Sequence, residues 1–322
     1  MPAGKETREG FGMYQERRIA VVIPAYNEEL LVGETVKGIP DFVDIIIVVD
    51  DCSKDDTFGA AQSVADDRLV VKRLEQNQGV GGAILTGHTL AMDRGADVMV
   101  VMAGDNQMDP AYLPQLLDPI VAGGYGFAKG NRFYSLASLE GMPRHRVYGN
   151  MGLTFLNKAA TGYWHLVDPQ NGYTAVTSEA LQQVPFDKVA KRYDFENDLL
   201  LWLNIADVRA TDVNIPARYG AETSTISLTT FVPRLIRTFT RAFWRRMWYK
   251  YMLWSFSPIA LLFLLGLLLL AIGTIIGLWV TWQAFGGNSP TAGTTVLSVV
   301  PFFCGFVLLV QSLVLDIQAT PD

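Results

Sequence analysis

The chain has 322 residues, half of them apolar, and a formal net charge of −6 at pH 7. That length holds one large or two ordinary domains, and the first 222 residues carry 20 Lys or Arg against 30 Asp or Glu. An acidic body excludes a phosphate-backbone partner, hence nucleic acid, and two cysteines, Cys52 and Cys304, imply no disulfide framework and a reducing setting.

In chain order, residues 1–18 read as a disordered lead rich in Lys, Glu, Arg and Gly, with no signal peptide. Four β-branched runs follow at 19–23, 45–49, 69–74 and 98–102, separated by helix-length stretches around 29–38, 55–65 and 80–94. This alternation predicts an α/β fold with a doubly wound, mostly parallel sheet. Each strand ends in polar residues: "PAYNEE" at 24–29, "DDCSKDDT" at 50–57, "NQGVGGA" at 77–83 and "AGDNQMDP" at 103–110. Ligands of open α/β sheets bind at that edge, and Gly79, Gly81 and Gly82 suit a close backbone approach to a diphosphate. Neither G-x-G-x-x-G after the first strand nor G-x-x-x-x-G-K-[ST] is present, so a dinucleotide fingerprint and a P-loop are both excluded.

The stretch "VVMAGDNQMDP" has two readings. Asp105 and Gln107 at the open strand end are hard oxygen ligands fit for a divalent cation carrying phosphates. The plainer reading is a strand-to-helix turn in which Asp109 caps a helix starting at Pro110. Both hold together.

Further on, Glu196 and Asp198 fall in the first turn of a helix, where the dipole alone favours acids. His88 reads as a helix-face residue and His165 as a strand-end one; His145, between Arg144 and Arg146, reads either as a phosphate contact or as part of a solvated loop.

From 223 to 315 there is no Asp or Glu, and the basic residues Arg234, Arg237, Arg241, Arg245, Arg246 and Lys250 all precede two uncharged apolar runs at 258–282 and 296–315. Both runs are near the ~20 residues a spanning helix needs. The basic flank should face the cytosol, with the short uncharged connector "GGNSPTAG" outside. The segment 231–254 alternates an arginine stripe with Leu235, Phe239 and Phe243, as in a helix lying in the headgroup layer, or serves only as a positive-inside flank.

The motifs "VVIPAYNEE", "VVDDCSKDDT", "NQGVGGAILTG", "AGDNQMDP", "KGNRF" and "DPQNGYTAV", in this order over residues 19–222, resemble family 2 glycosyltransferases of the GT-A fold, in particular the polyprenyl-phosphate branch with dolichol-phosphate mannosyltransferase. The resemblance implies a membrane-anchored enzyme that moves a hexose, with inversion, from a nucleotide sugar of the GDP-mannose or UDP-glucose type to dolichyl or undecaprenyl phosphate. It implies that Pro24, Ala25, Tyr26, Glu28, Asp50, Asp51, Gly79 and Gly81 hold the nucleotide sugar, and that Asp105 and Gln107 hold Mg²⁺ or Mn²⁺. Arg132, Arg146 and Asn150 would receive the acceptor phosphate, with Asp105, Arg132 and Asp168 as the catalytic set. Asp168 would orient the acceptor or a sugar hydroxyl, or else is a turn residue before Pro169.

One departure stands out: the family's Asp-x-Asp-x-Gln reads here Ala103-Gly104-Asp105-Asn106-Gln107. It motivates an alternative, a catalytically silent nucleotide-sugar binder in the membrane. A processive polysaccharide synthase is the other alternative, though such enzymes use more spans. The expected partners are a nucleotide sugar, a polyprenyl phosphate lipid and the membrane, with a homo-oligomer left open. The expected location is the cell membrane, with two spans and a cytosolic catalytic domain.

Overall fold

The computed structural model describes residues 14–132, 144–168, 171–192, 194–216, 228–287 and 289–321, with backbone alone for 144–151 and 228–235. Its contacts divide the chain into two units, Met1–Phe239 with Pro321–Asp322, and Thr240–Thr320.

The first unit is built on a seven-stranded sheet in the order β3-β2-β1-β4-β6-β5-β7. The strands are β1 (Ile19–Ala25), β2 (Ile45–Asp50), β3 (Leu69–Arg73), β4 (Val98–Val101), β5 (Phe127–Asn131), β6 (Thr174–Thr177) and β7 (Ala210–Asn214). The first four are mutually parallel, β6 runs antiparallel to both β4 and β5, and β5 pairs parallel with β7. The alternating runs therefore mark a mostly parallel α/β sheet, as the sequence led one to expect. β1, β2 and β4 are continuous apolar runs because helices cover both faces; every residue of β2 and β4 is buried.

The crossovers are α1 (Val32–Lys37), α2 (Thr57–Gln62) and α3 (Val80–Asp93), followed by α4 (Leu113–Val121), α5 (Arg144–Thr161), α6 (Ser178–Gln182) and α7 (Phe195–Ile205). Asp56 starts α2 by accepting from the Gly59 N–H, and Thr177 starts α6 by accepting from the Ala180 N–H. α3 lies so close to the sheet that a Cβ at Gly87 would come within 2.2 Å of Val22 Cγ1, so only glycine fits there. His88 lies on α3, as expected, and is fully buried. The strand order reverses between β1 and β4, which opens a crevice at their carboxyl ends.

α8 (Leu228–Arg246) precedes a π-helical turn, Met247–Trp254, and two long helices, α9 (Pro258–Phe285) and α10 (Ala292–Gln318), each apolar and long enough to cross a bilayer. α9 and α10 pack at glycines: a Cβ at Gly273 would lie 2.5 Å from the Phe302 backbone nitrogen, and one at Gly305 2.5 Å from that of Leu270. Ser312 Oγ donates to the Ile259 carbonyl at 3.0 Å. Arg246, one of the basic residues ahead of the first apolar run, is buried and forks onto Asp316, which also accepts from the Tyr251 hydroxyl. The reason is electrostatic: Asp316 is the acid nearest the second apolar run, and only a paired charge is tolerated in such surroundings.

Candidate active site

Two clefts meet at the carboxyl ends of the strands. The larger, about 420 Å³, is lined by Pro24, Ala25, Ala103, Gly104 and Asp105 and by Asp51, Asn77, Gly79 and Arg192. Tyr26, Glu28, Val80 and Ala83 complete it. Its size suits a nucleotide-sized ligand. The smaller, about 170 Å³, is lined by Asp105, Gln107, Asp109, Arg132, Asn171 and Tyr173 among others. Asp105 lines both.

The walls follow from local backbone chemistry. Asn27 takes a left-handed conformation (φ 58°) after β1, so its N–H reaches Ser53 Oγ at 2.9 Å and its side chain accepts from the Lys54 N–H at 2.9 Å. The loops after β1 and β2 are thereby tied together. Asp51 accepts from the Gln78 N–H (2.7 Å) and the Gly79 N–H (2.8 Å), which pins the loop ahead of α3. After β4, Asp105 Oδ1 accepts from the Gln107 N–H at 3.0 Å across Asn106 (φ 56°), a turn that directs residues 105–107 to the strand end. Gly104 keeps this loop against β1, where a Cβ would lie 3.3 Å from the Ala25 Cβ.

Several expected residues converge and others do not. Pro24, Ala25, Tyr26, Glu28, Asp51, Gly79 and Asp105 share the larger cleft, while Asp105, Gln107 and Arg132 share the smaller. Asp50 does not line either cleft. It is buried behind the wall, where Oδ1 accepts from the Ser53 N–H at 2.9 Å and Oδ2 lies 3.3 Å from Arg73 Nε. A carboxylate so enclosed shapes the loop after β2. Gly81 faces protein: a Cβ there would lie 2.6 Å from the Phe195 Cβ, so glycine is required for the packing of α3 on α7. Asp168, expected to face the acceptor or a sugar hydroxyl, is buried and grips Arg132. Arg146 and Asn150 fall on the first two turns of α5, and their side chains, like that of His145, lie outside the described residues.

Around the buried Lys129 amine stand three carboxylates, of which Asp168 is buried and Glu196 and Asp212 are half-buried. Burial pulls the Lys129 amine down to about 8 against the attraction of Glu196, Asp168 and Asp212. Burial pushes Asp212 up to about 6, although its carboxylate accepts from the Val167 N–H at 2.6 Å. Burial also raises Glu196, which stands half-buried in the first turn of α7.

Sequence reasoning missed Asn77, Asn171, Tyr173 and Arg192 as lining residues. The first three lie inside the quoted motifs "NQGVGGA" and "DPQNGYTAV", so the signal was present; Arg192, two residues before the acidic run "DFEND", carried none. Among the described residues no group of three or more His, Cys, Asp or Glu is gathered for a metal. Asp105 and Gln107 still fit Mg²⁺ or Mn²⁺, because one carboxylate and one amide on a cleft wall match a hard cation whose other ligands are substrate oxygens and water.

A mostly parallel sheet with a nucleotide-sized cleft at its topological switch point, sharing one carboxylate with a cleft that holds an arginine, defines a GT-A group-transfer enzyme. The chain belongs to glycosyl transferase family 2, whose model matches residues 20–184, and is a glycosyltransferase. It is 30% identical over 213 residues to the UDP-N-acetylglucosamine–dolichyl-phosphate N-acetylglucosaminyltransferase of Methanococcus voltae, covering 60% of this chain and 84% of that one. It is 27% identical to the undecaprenyl-phosphate mannosyltransferase of Micrococcus luteus (56% of this chain, 76% of that one). The fold is also that of Mycobacterium tuberculosis glucosyl-3-phosphoglycerate synthase solved with Mn²⁺, UDP-glucose and phosphoglyceric acid, at TM-score 0.52 and 22% identity over 70% of this chain and 80% of that one.

Proposed function

We propose that this glycosyltransferase moves a hexose from a nucleotide sugar, of the GDP-mannose or UDP-glucose type, to a polyprenyl phosphate at the cytosolic face of a membrane. The observation that carries the reading is that Asp105 lines both clefts, so a donor diphosphate in the larger one and an acceptor phosphate beside Arg132 in the smaller one meet at one carboxylate. The polyprenyl-phosphate relatives and the two apolar helices support the acceptor class.

The chemistry asks little of a general base. A phosphate monoester is already an anion near neutral pH; one of its oxygens attacks the anomeric carbon while the bond from that carbon to the diphosphate oxygen breaks, so the centre inverts and the nucleoside diphosphate leaves with the electron pair. The protein's tasks are positioning and charge screening. Arg132, held by Asp168, offers a planar cation on the acceptor side. Pro24, Ala25, Tyr26 and Glu28 wall the donor, Gly79 lets the loop ahead of α3 close on it, and Arg146 and Asn150 of α5 are assigned to the acceptor phosphate. A Mg²⁺ or Mn²⁺ held by Asp105 and Gln107 would act as Lewis acid toward the leaving diphosphate. The basic flank of α8 is assigned to the cytosolic side, so that donor and catalytic unit share the cytosol.

The test is incubation of the purified full chain in detergent with a panel of nucleotide sugars and polyprenyl phosphate, followed by mass analysis of the lipid fraction. A glycolipid formed with one donor is expected. Sugar transfer only to a water-soluble phosphate would reassign the acceptor.

A further inference from the structure

Lys129 stands at the middle of β5 and is fully buried, a place an ammonium occupies only among acids. Asp212 is its register partner on the parallel neighbour β7, so the two side chains leave the sheet on the same face. Glu196, in the first turn of α7, shares with Lys129 a cavity of about 10 Å³ that Phe195, Leu199 and Leu200 wall with apolar surface. Asp168, ahead of β6, is the third acid acting on the amine. Arg132, just past the end of β5, and the half-buried Lys158 of α5, which acts on Asp212, add two cations. β6 and α3 present the uncharged Thr174 and Ile84 to the cavity.

The cluster connects to the smaller cleft through two adjacent residues. Asp212 accepts from the Val167 N–H at 2.6 Å, and Asp168 grips both the guanidinium and the backbone N–H of Arg132. Residues 167 and 168 are thus tied to β7 on one side and to Arg132 on the other. Asp168 and Asp212 repel each other, and the Lys129 charge attracts both. With that charge withdrawn, the three carboxylates would be left with Arg132 and Lys158, and a carboxylate left unmatched in an enclosed site protonates or moves. Resting on the acceptor-site reading above, we infer that Lys129 is a positioning residue for sugar transfer: its buried ammonium keeps Asp168 in place, and Asp168 keeps Arg132 turned toward the acceptor phosphate. Lys129 itself need not touch substrate. Because burial brings its amine down to about 8, the proton is held below that pH and lost above it, and the grip on Arg132 should weaken as the pH rises past 8.

The experiment measures the KM for polyprenyl phosphate and, separately, for the nucleotide sugar between about pH 7 and pH 9, using the purified full chain in detergent with Mg²⁺. In the native chain the acceptor KM should rise about fivefold or more across that range while the donor KM stays level. In Lys129→Met, which keeps the length of the side chain without its charge, the acceptor KM should stand about fivefold or more above native at the lower pH and change less than about twofold up to the higher. If that variant does not fold, Lys129→Met combined with Glu196→Gln, which removes one charge of each sign, is expected to show the same raised and level acceptor KM. A native acceptor KM that stays level, or one that climbs alike in native and variant chains, would overturn the inference. Equal weakening of both substrates in the variant, the mark of a general structural role, would overturn it too. Sugar transfer only to a water-soluble phosphate would remove the lipid reading alone, and the same comparison is then decided with that acceptor. A chain that transfers to no phosphate acceptor removes both.

Discussion

Arg132 and Asp168 meet fork to fork, Nε at 2.7 Å from Oδ2 and Nη2 at 3.0 Å from Oδ1, while the Arg132 backbone N–H donates to Oδ2 at 3.2 Å. The carboxylate is buried and the guanidinium about a third exposed, so the acid acts as the fixed post and the cation as the working end. Asp168 is thus a positioning residue for Arg132 in the smaller cleft.

Asp168→Asn keeps the shape but removes the charge that orients Arg132. The KM for polyprenyl phosphate should rise about tenfold or more, with nucleotide affinity unchanged by calorimetry. Loss of nucleotide affinity with an unchanged acceptor KM would move the pair to the donor side.

His88 gives a pH dependence of defined sign. It is fully buried, neither ring nitrogen has a hydrogen-bond partner among the described residues, and burial pulls the imidazole down to about 3. In the unfolded chain it titrates near its ordinary value of about 6.5. Below that pH the unfolded state binds more protons, so this contribution to stability is complete above about pH 6.5 and is lost as the pH falls toward 3. His88→Leu removes the titration and an unpaired polar group together. Its thermal midpoint should fall less than the native chain's between pH 7 and pH 5; equal falls would show that His88 does not govern acid sensitivity.

The division between what the sequence disclosed and what it hid follows from where each signal lives. β1, β2 and β4 were legible because burial on both faces demands unbroken apolar runs, which few other structures tolerate. β6 gave no such warning: four residues, Thr174–Thr177, running antiparallel within a parallel sheet are set by pairing with β4 and β5, a tertiary fact. The cleft residues of the strand ends were legible as motifs. The roles of Asp50 and Gly81 were not, because a motif records residue type and spacing but not which way a side chain turns. The pairing of Arg246 was hidden for the same reason, since its partner Asp316 lies 70 positions away in sequence.

The Arg246–Asp316 pair predicts a non-additive effect. Both side chains are more than nine-tenths buried, and Arg246 Nη2 lies 2.9 Å from Asp316 Oδ2. Removing one partner strands the other charge, so Asp316→Ala should cost about 3–5 kcal/mol, measured as chemical or thermal unfolding in detergent. Arg246→Met combined with Asp316→Leu should recover most of that loss, because an apolar pair needs no desolvation. A double variant as unstable as the sum of the singles would assign the stability to packing alone.

Orientation in the membrane can be checked at Ser289, in the connector between α9 and α10. With the basic flank cytosolic, Ser289→Cys in a Cys304→Ser background should react with a membrane-impermeant maleimide on intact cells. Reaction only after the cells are opened would reverse the orientation and the assignment of the donor to the cytosol.

The last prediction separates two acids four residues apart on the same cleft. Asp105 lines both clefts, and a neutral amide in its place is a poor ligand for a hard dication, so Asp105→Asn should lower metal-dependent transfer by about a hundredfold or more. Asp109 also borders the smaller cleft, but its Oδ1 accepts from the Ala111 N–H at 3.0 Å as the cap of the 3₁₀ turn Pro110–Tyr112. Asparagine caps as well as aspartate, and the lost dipole charge is worth about 0.3–1 kcal/mol, so Asp109→Asn should keep most activity. Ala103 lines the larger cleft beside Asp105, and Ala103→Asp should tighten Mn²⁺ binding, read by calorimetry without substrate turnover, by adding a second carboxylate. Full activity of the native chain in excess chelator, or an active Asp105→Asn enzyme, would falsify the metal assignment and leave residues 103–109 as a polar turn that frames the two clefts.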